Sequence, residues 1–158
     1  MKASILLSII YLSQLGCNII GEKNTSTDTV IINPTFHSIK IAYYENGSIV
    51  DSIILVQGAV KKVSSINNRG KGSGLTYPGV VIAFFDSALV SFDDTVEVIH
   101  YPKNVDSTNA ATIFYQNSRN IFNEYNYERH IVNEKTDYIK NEYRYQFIEE
   151  DYIYARDN

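Results

Sequence analysis

Residues 37–56 place the tightest constraint on what this chain can fold into. Across His37–Tyr44, Ile39, Ile41 and Tyr43 alternate with Ser38, Lys40 and Ala42, the two-residue period of a half-buried strand. Glu45, Asn46, Gly47 and Ser48 follow, and Asn-Gly supplies the two positive-φ residues that a type I′ hairpin turn demands. Ile49–Val56, rich in Ile and Val, then returns antiparallel to the first run.

The rest of the chain repeats this rhythm in short pieces. Val30–Ile32 reads as a strand ended by Asn33 and Pro34, and Ala59–Ile66 as another. Val80–Phe85 and Ala88–Phe92 are apolar strands, Asp93 and Asp94 mark a turn, and Thr95–Tyr101 alternates again. Tyr127–Asn133 and Tyr138–Phe147 read as two long antiparallel strands joined through Asn133–Asp137. Ile139, Tyr143 and Phe147 also recur at helical spacing, but the aromatic content of the segment favours a strand. Ser118–Asn123 and Glu149–Tyr152 are short helical turns, the first with Ser118 as cap and the second with acidic residues at its positive end. Short strands divided by turns, with no βαβ rhythm and no internal repeat, predict an all-β fold: an antiparallel β-sandwich or open barrel with one or two short helical turns.

The N-terminus has a different logic. Lys2 gives a positive start, Ala3–Leu12 is apolar apart from Ser4 and Ser8, and Gly16 precedes Cys17, the only cysteine in the chain. That order is an export signal, read here as a signal helix cleaved after Gly16. The domains expected are a lipoprotein signal peptide over 1–16, a polar tether over 17–28 with a lipidated Cys17, and a β-sandwich-like domain over 29–158. The apolar run is shorter than the roughly 20 residues needed to span a bilayer, so attachment would come from acyl chains on Cys17.

Charge and cysteine content narrow the function classes. The chain carries a net charge of −4. Removing 1–16 takes away Lys2 alone and leaves the mature chain at −5. An acidic balance argues against nucleic acid, whose binding rests on cationic neutralisation of phosphates. One cysteine excludes an internal disulfide and cysteine-rich metal sites, and His37, His100 and His130 show no metal-ligand spacing. Neither a metal nor a cofactor is expected.

Three features invite a chemical reading. The glycine-rich stretch Gly70–Gly74 has Lys71 before Gly72 and a strand after it, the wrong order for a phosphate loop, and reads as an inter-strand loop. Asp86, Asp93, Asp94 and Glu149 are the carboxylates available for acid–base work, as in a glycan hydrolase, but Asp is also the ordinary turn residue, which is the reading preferred here. Nine of the thirteen tyrosines lie from Tyr101 onward. They suit a contact surface for a protein or glycan partner, but the alternation of Tyr143, Tyr145 and Phe147 points first to cross-strand packing. No catalytic residue emerges, and the chain reads as a non-enzyme.

Leu12–Cys17 resembles a bacterial lipobox: Gly16 fits the position before the cysteine, while Gln14 and Leu15 depart from the usual pattern. Asp51–Ile54, the glycine-rich loop, Phe85–Ser87, Val96–Tyr101, Ser118–Ile121 and Phe147–Tyr152 together resemble the small cell-envelope lipoproteins of Bacteroidetes-type bacteria. The resemblance implies an envelope lipoprotein with a β-sandwich-like domain, with Cys17 as lipid acceptor. Asn18 after the cysteine implies the outer membrane. The function expected is binding or structural, with strand exchange or adhesion as the alternative.

Overall fold

The computed structural model describes residues 24–68, 85–103 and 111–158. The segment read as an export signal, Cys17, the loop Gly70–Gly74 and all of the strand expected over Val80–Phe85 except Phe85 lie outside them. Among the described residues nine strands form two sheets, as expected for an all-β sandwich-like fold. They are β1 (Asn24–Asn33), β2 (Ile39–Glu45), β3 (Ser48–Leu55), β4 (Ala59–Asn68), β5 (Ser87–Phe92), β6 (Val96–His100), β7 (Thr112–Ile113), β8 (Glu128–Lys135) and β9 (Tyr138–Gln146). One sheet has the order β4-β1-β9-β8, the other β3-β2-β5-β6-β7. Most neighbours are antiparallel; β1 with β9 and β6 with β7 are parallel, pairings between distant segments that no local turn announces.

The Asn46–Gly47 turn forms as its residues dictate, with φ of 51° and 76°. It sets the register Tyr43 opposite Asp51, Ile41 opposite Ile53 and Ile39 opposite Leu55, so all six side chains share the inner face. After the Val56–Gly58 turn the chain leaves this sheet and β4 joins the other, alongside β1. The core lies between the sheets, built from Ile39, Ile41, Val90, Phe92 and Val98 on one side and Ile31, Tyr143, Tyr145 and Phe147 on the other. Ile121 and Phe122, in the β7–β8 connection, are also fully buried within it.

Three expectations need correction. The polar tether read over 17–28 enters the sheet at Asn24, and Thr25–Val30 are all buried because β1 is an interior strand. Period-2 hydrophobicity misses such a strand, since its buried side chains are Thr, Ser and Asp. Asp28 is satisfied on the outer face by the Ser65 hydroxyl at 2.6 Å, Lys140 at 3.1 Å and Lys62 at 3.8 Å. Burial works against its charge, but these partners outweigh it and hold its carboxyl below the usual value. Second, Ser118 does not cap a helix. That segment runs in turns, and the 3-10 turn that follows is Glu124–Asn126, capped by Asn123. Third, the acidic turn at Glu149 continues as a nine-residue helix, α1 (Glu149–Asp157).

Candidate functional site

The end of the sandwich where β1, β3, β5 and β9 finish gathers the densest polar chemistry. It begins with Asn33, a fully buried residue at the end of β1. Its Oδ1 accepts from the Thr35 backbone N–H at 3.1 Å and hydroxyl at 2.7 Å, which folds the β1–β2 loop back on itself. Its Nδ2 donates to His37 O and Leu55 O, both at 2.8 Å, pinning that loop to the end of β3.

The loop presents His37 to two carboxylates at once. Nδ1 lies 2.6 Å from Asp93 Oδ2 and Nε2 lies 3.0 Å from Glu149 Oε1. The ring stacks on Tyr152 of α1 at 3.8 Å and meets Phe92 edge-on at 6.3 Å. Asp93 is held by its own turn: Asp93 and Asp94 have φ of 52° and 56°, the left-handed pair of a tight hairpin. Its Oδ1 accepts from Ser38 N at 2.8 Å.

Both ring nitrogens can donate only as imidazolium, so this geometry favours the charged form. The Asp93 hydrogen bond, aided by Glu149 and opposed by burial, raises the His37 pKa above 6.5. The same contact, with the Ser38 amide, lowers that of Asp93 below 3.8. A histidine with both nitrogens engaged has no lone pair free to act as a base or ligate a metal. Its chemistry is that of a clasp, tying the β1–β2 loop, the β5–β6 turn and the start of α1 together.

The clasp makes stability depend on pH with a defined sign. A raised histidine pKa gives stability that is complete below pH 6.5 and lost as pH rises through the higher folded value. A lowered Asp93 pKa gives stability present above pH 3.8 and lost below. Urea midpoints should therefore fall as pH rises above 6.5, and His37→Gln should flatten most of that fall. An unchanged slope in His37→Gln would show that the clasp carries no charge in solution.

Of the four carboxylates singled out from sequence, Asp93 and Glu149 meet on His37. Asp86 does not join them: its carboxylate accepts from Asn46 N at 2.6 Å and caps the β2–β3 turn. Asp86 and Asp93 flank the six residues of β5, roughly 20 Å of extended chain, beyond the separation that paired carboxylates use in glycoside hydrolysis. Asp94 is an exposed turn residue. Sequence reading missed His37, whose partners lie 56 and 112 residues away. The one legible signal was the Asp-Asp turn.

The other histidines go elsewhere. His100 is buried; its Nδ1 accepts from Ile121 N at 3.2 Å, and burial, with the Arg119 charge, pushes its pKa down to about 3. His130 sits on β8 beside Glu128 at 3.2 Å. Among the described residues no group of three or more His, Cys, Asp or Glu side chains is placed to hold a metal. Among those residues, too, no helix is long and apolar enough to cross a membrane. Of the late tyrosines, Tyr143 and Tyr145 are buried as their alternation implied; Tyr127 is buried too, while Tyr125 is 80% exposed.

A second feature is a cleft of about 380 Å³ where the edge strands β3 and β4 diverge, lined by Tyr43, Asp51, Ser52, Ile53, Lys61, Lys62, Val63 and Phe85. Tyr43 and Phe85 stack at 4.7 Å within it. Comparisons with protein-family models, with curated proteins and with solved structures return no match.

Proposed function

We propose that this chain is a lipid-anchored protein of the cell envelope whose β-domain is non-catalytic and serves binding or structure. The observation that carries the reading is the place of the single cysteine: it ends an export signal and precedes the first residue of β1, Asn24, by seven positions. Seven residues reach at most roughly 25 Å, so an acyl group on Cys17 would hold the domain close to the bilayer. Because β1 starts at that end and runs parallel to β9, the β8–β9 hairpin would lie toward the membrane and the His37 clasp away from it. The lipobox-like Leu12–Cys17 and Asn18 support the outer membrane as the address. Partners would be an envelope protein or a glycan.

Intact mass of the chain from a lipoprotein-competent host tests this. The expected product starts at Cys17, carries acyl mass and partitions into detergent. Cys17→Ser should abolish the acyl mass and shift the protein to the aqueous phase. A mature chain starting elsewhere without acyl mass would remove the anchor.

Strand exchange is the alternative, prompted by Ile131 and Val132, both about half exposed on edge strand β8. Register shifts at Thr29/Val30 in the β1–β4 pairing and at Ile131/Asn133 in the β8–β9 pairing, with Glu128, Arg129, Glu134 and Lys135 along β8, count against it. Such bulges and charges blunt an edge against addition of a strand.

A further inference from the structure

The cleft between β3 and β4 combines groups that a mere gap between edges would not need. Pairing places Asp51 on the inner face of β3, opposite Tyr43, and Lys61 on the inner face of β4, opposite Ile31. The two edges thus oppose a carboxylate and an ammonium across the opening. Among the described residues no ion pair joins them and Asp51 accepts only from its neighbour Ser52 N at 2.7 Å. Below them the walls are apolar, from Ile53, Val63 and the stacked Tyr43 and Phe85 rings.

The Tyr43 hydroxyl is buried and has no hydrogen-bond partner among the described residues. A buried hydroxyl left unpaired costs free energy, and because water cannot reach it a ligand in the cleft would meet the Tyr43 ring and not its hydroxyl. Burial, reinforced by the Asp51 charge, raises its pKa, so it stays a neutral donor.

We infer that this cleft binds a free aromatic α-amino acid, with its ammonium on Asp51, its carboxylate on Lys61 and its ring against Tyr43, Phe85, Ile53 and Val63. Opposite charges on opposite lips select a zwitterion over either single ion, and the volume suits a ligand of this size. This deepens the proposed binding role and rests on it, but does not depend on the anchor.

Saturation-transfer difference NMR on the purified full chain tests it, with L-phenylalanine, phenethylamine, 3-phenylpropionate and L-tyrosine as probes. L-Phenylalanine should bind about tenfold more tightly than either single ion, and L-tyrosine no more tightly than L-phenylalanine. Lys61→Met should bring L-phenylalanine down to phenethylamine, and Asp51→Asn should bring it down to 3-phenylpropionate. Both positions are exposed, so both variants should fold. No saturation by any probe at 10 mM, or equal binding in all variants, would overturn the site and leave Asp51 and Lys61 as charges that guard two strand edges. That result would not touch acylation at Cys17, and an unacylated chain that still takes up L-phenylalanine would remove the anchor alone.

Discussion

Arg119→Met is expected to destabilise the domain by about 3 kcal/mol in urea unfolding, because it strands a buried carboxylate. Arg119, from the β7–β8 connection, reaches Asp151 with Nε at 2.7 Å and with Nη2 at 2.5 Å, and Nη2 also donates to Gln146 O at 2.8 Å. The Asp151 side chain is only 5% exposed and also accepts from Ile148 N at 2.9 Å, closing the first turn of α1. Above it the guanidinium lies 5.1 Å from the Tyr145 ring centre, whose hydroxyl donates back to Arg119 O at 2.7 Å. Removing one partner of a buried pair typically costs 3–5 kcal/mol; Arg119 is 29% exposed, so water can reach the vacated space and the low end applies. The double variant Arg119→Met with Asp151→Leu should lose less than Arg119→Met alone, since it leaves no orphaned charge. Equal losses would mean that the packing of Arg119, and not its charge, carries the effect.

The residues that made the fold legible are those whose local chemistry and burial agree. Asn46 and Gly47 dictate a turn, Ile39, Ile41 and Tyr43 dictate an inner face, and both survive in the folded chain. Tyr143, Tyr145 and Phe147 show the same agreement: their alternation places the first two on the inner face of β9 and Phe147, just past its end, in the same core. The start of β1 is where the agreement breaks. Thr25, Ser26, Thr27, Asp28 and Thr29 have the composition of a linker, yet pairing with β4 on one side and β9 on the other buries them. Their cost is met by partners such as Ser65 and Lys140, far along the chain, which no window of sequence contains.

The candidate sites divide on the same line. The sequence marks Asp93 as a turn residue and Glu149 as a helix-start residue, and both roles hold locally. That the two converge on His37 follows from the sheet order, which brings the β1–β2 loop, the end of β5 and the end of β9 to one edge of the core. The β3–β4 cleft is a topological product as well. Asp51 and Lys61 look like ordinary exposed strand charges until the chain changes sheet at Gly58 and sets both along one cleft.

Phe92→Ala should cost about 3–5 kcal/mol, the range for deleting a fully buried aromatic side chain, and should also disable the clasp above it. Phe92 closes β5 next to Asp93 and is fully buried, with Ile39 and Val96 as its strand neighbours. Its ring meets His37, Phe147 and Tyr152 at 6.3, 6.1 and 5.8 Å, each near edge-on. Without it, the Tyr152 ring and the imidazole stacked on it lose their support, and Asp93 loses the neighbour that fixes its turn. Two effects should therefore appear together: a large fall in the urea midpoint at every pH, and a weaker decline of stability above pH 6.5. His37→Gln should reproduce only the second. Because the residues touch, the double variant Phe92→Ala with His37→Gln should lose less than the separate losses combined, by at least about 0.5 kcal/mol. Strict additivity would show that His37 keeps its two carboxylates with the floor removed, and that the loop and turn, rather than the core beneath them, hold the clasp closed.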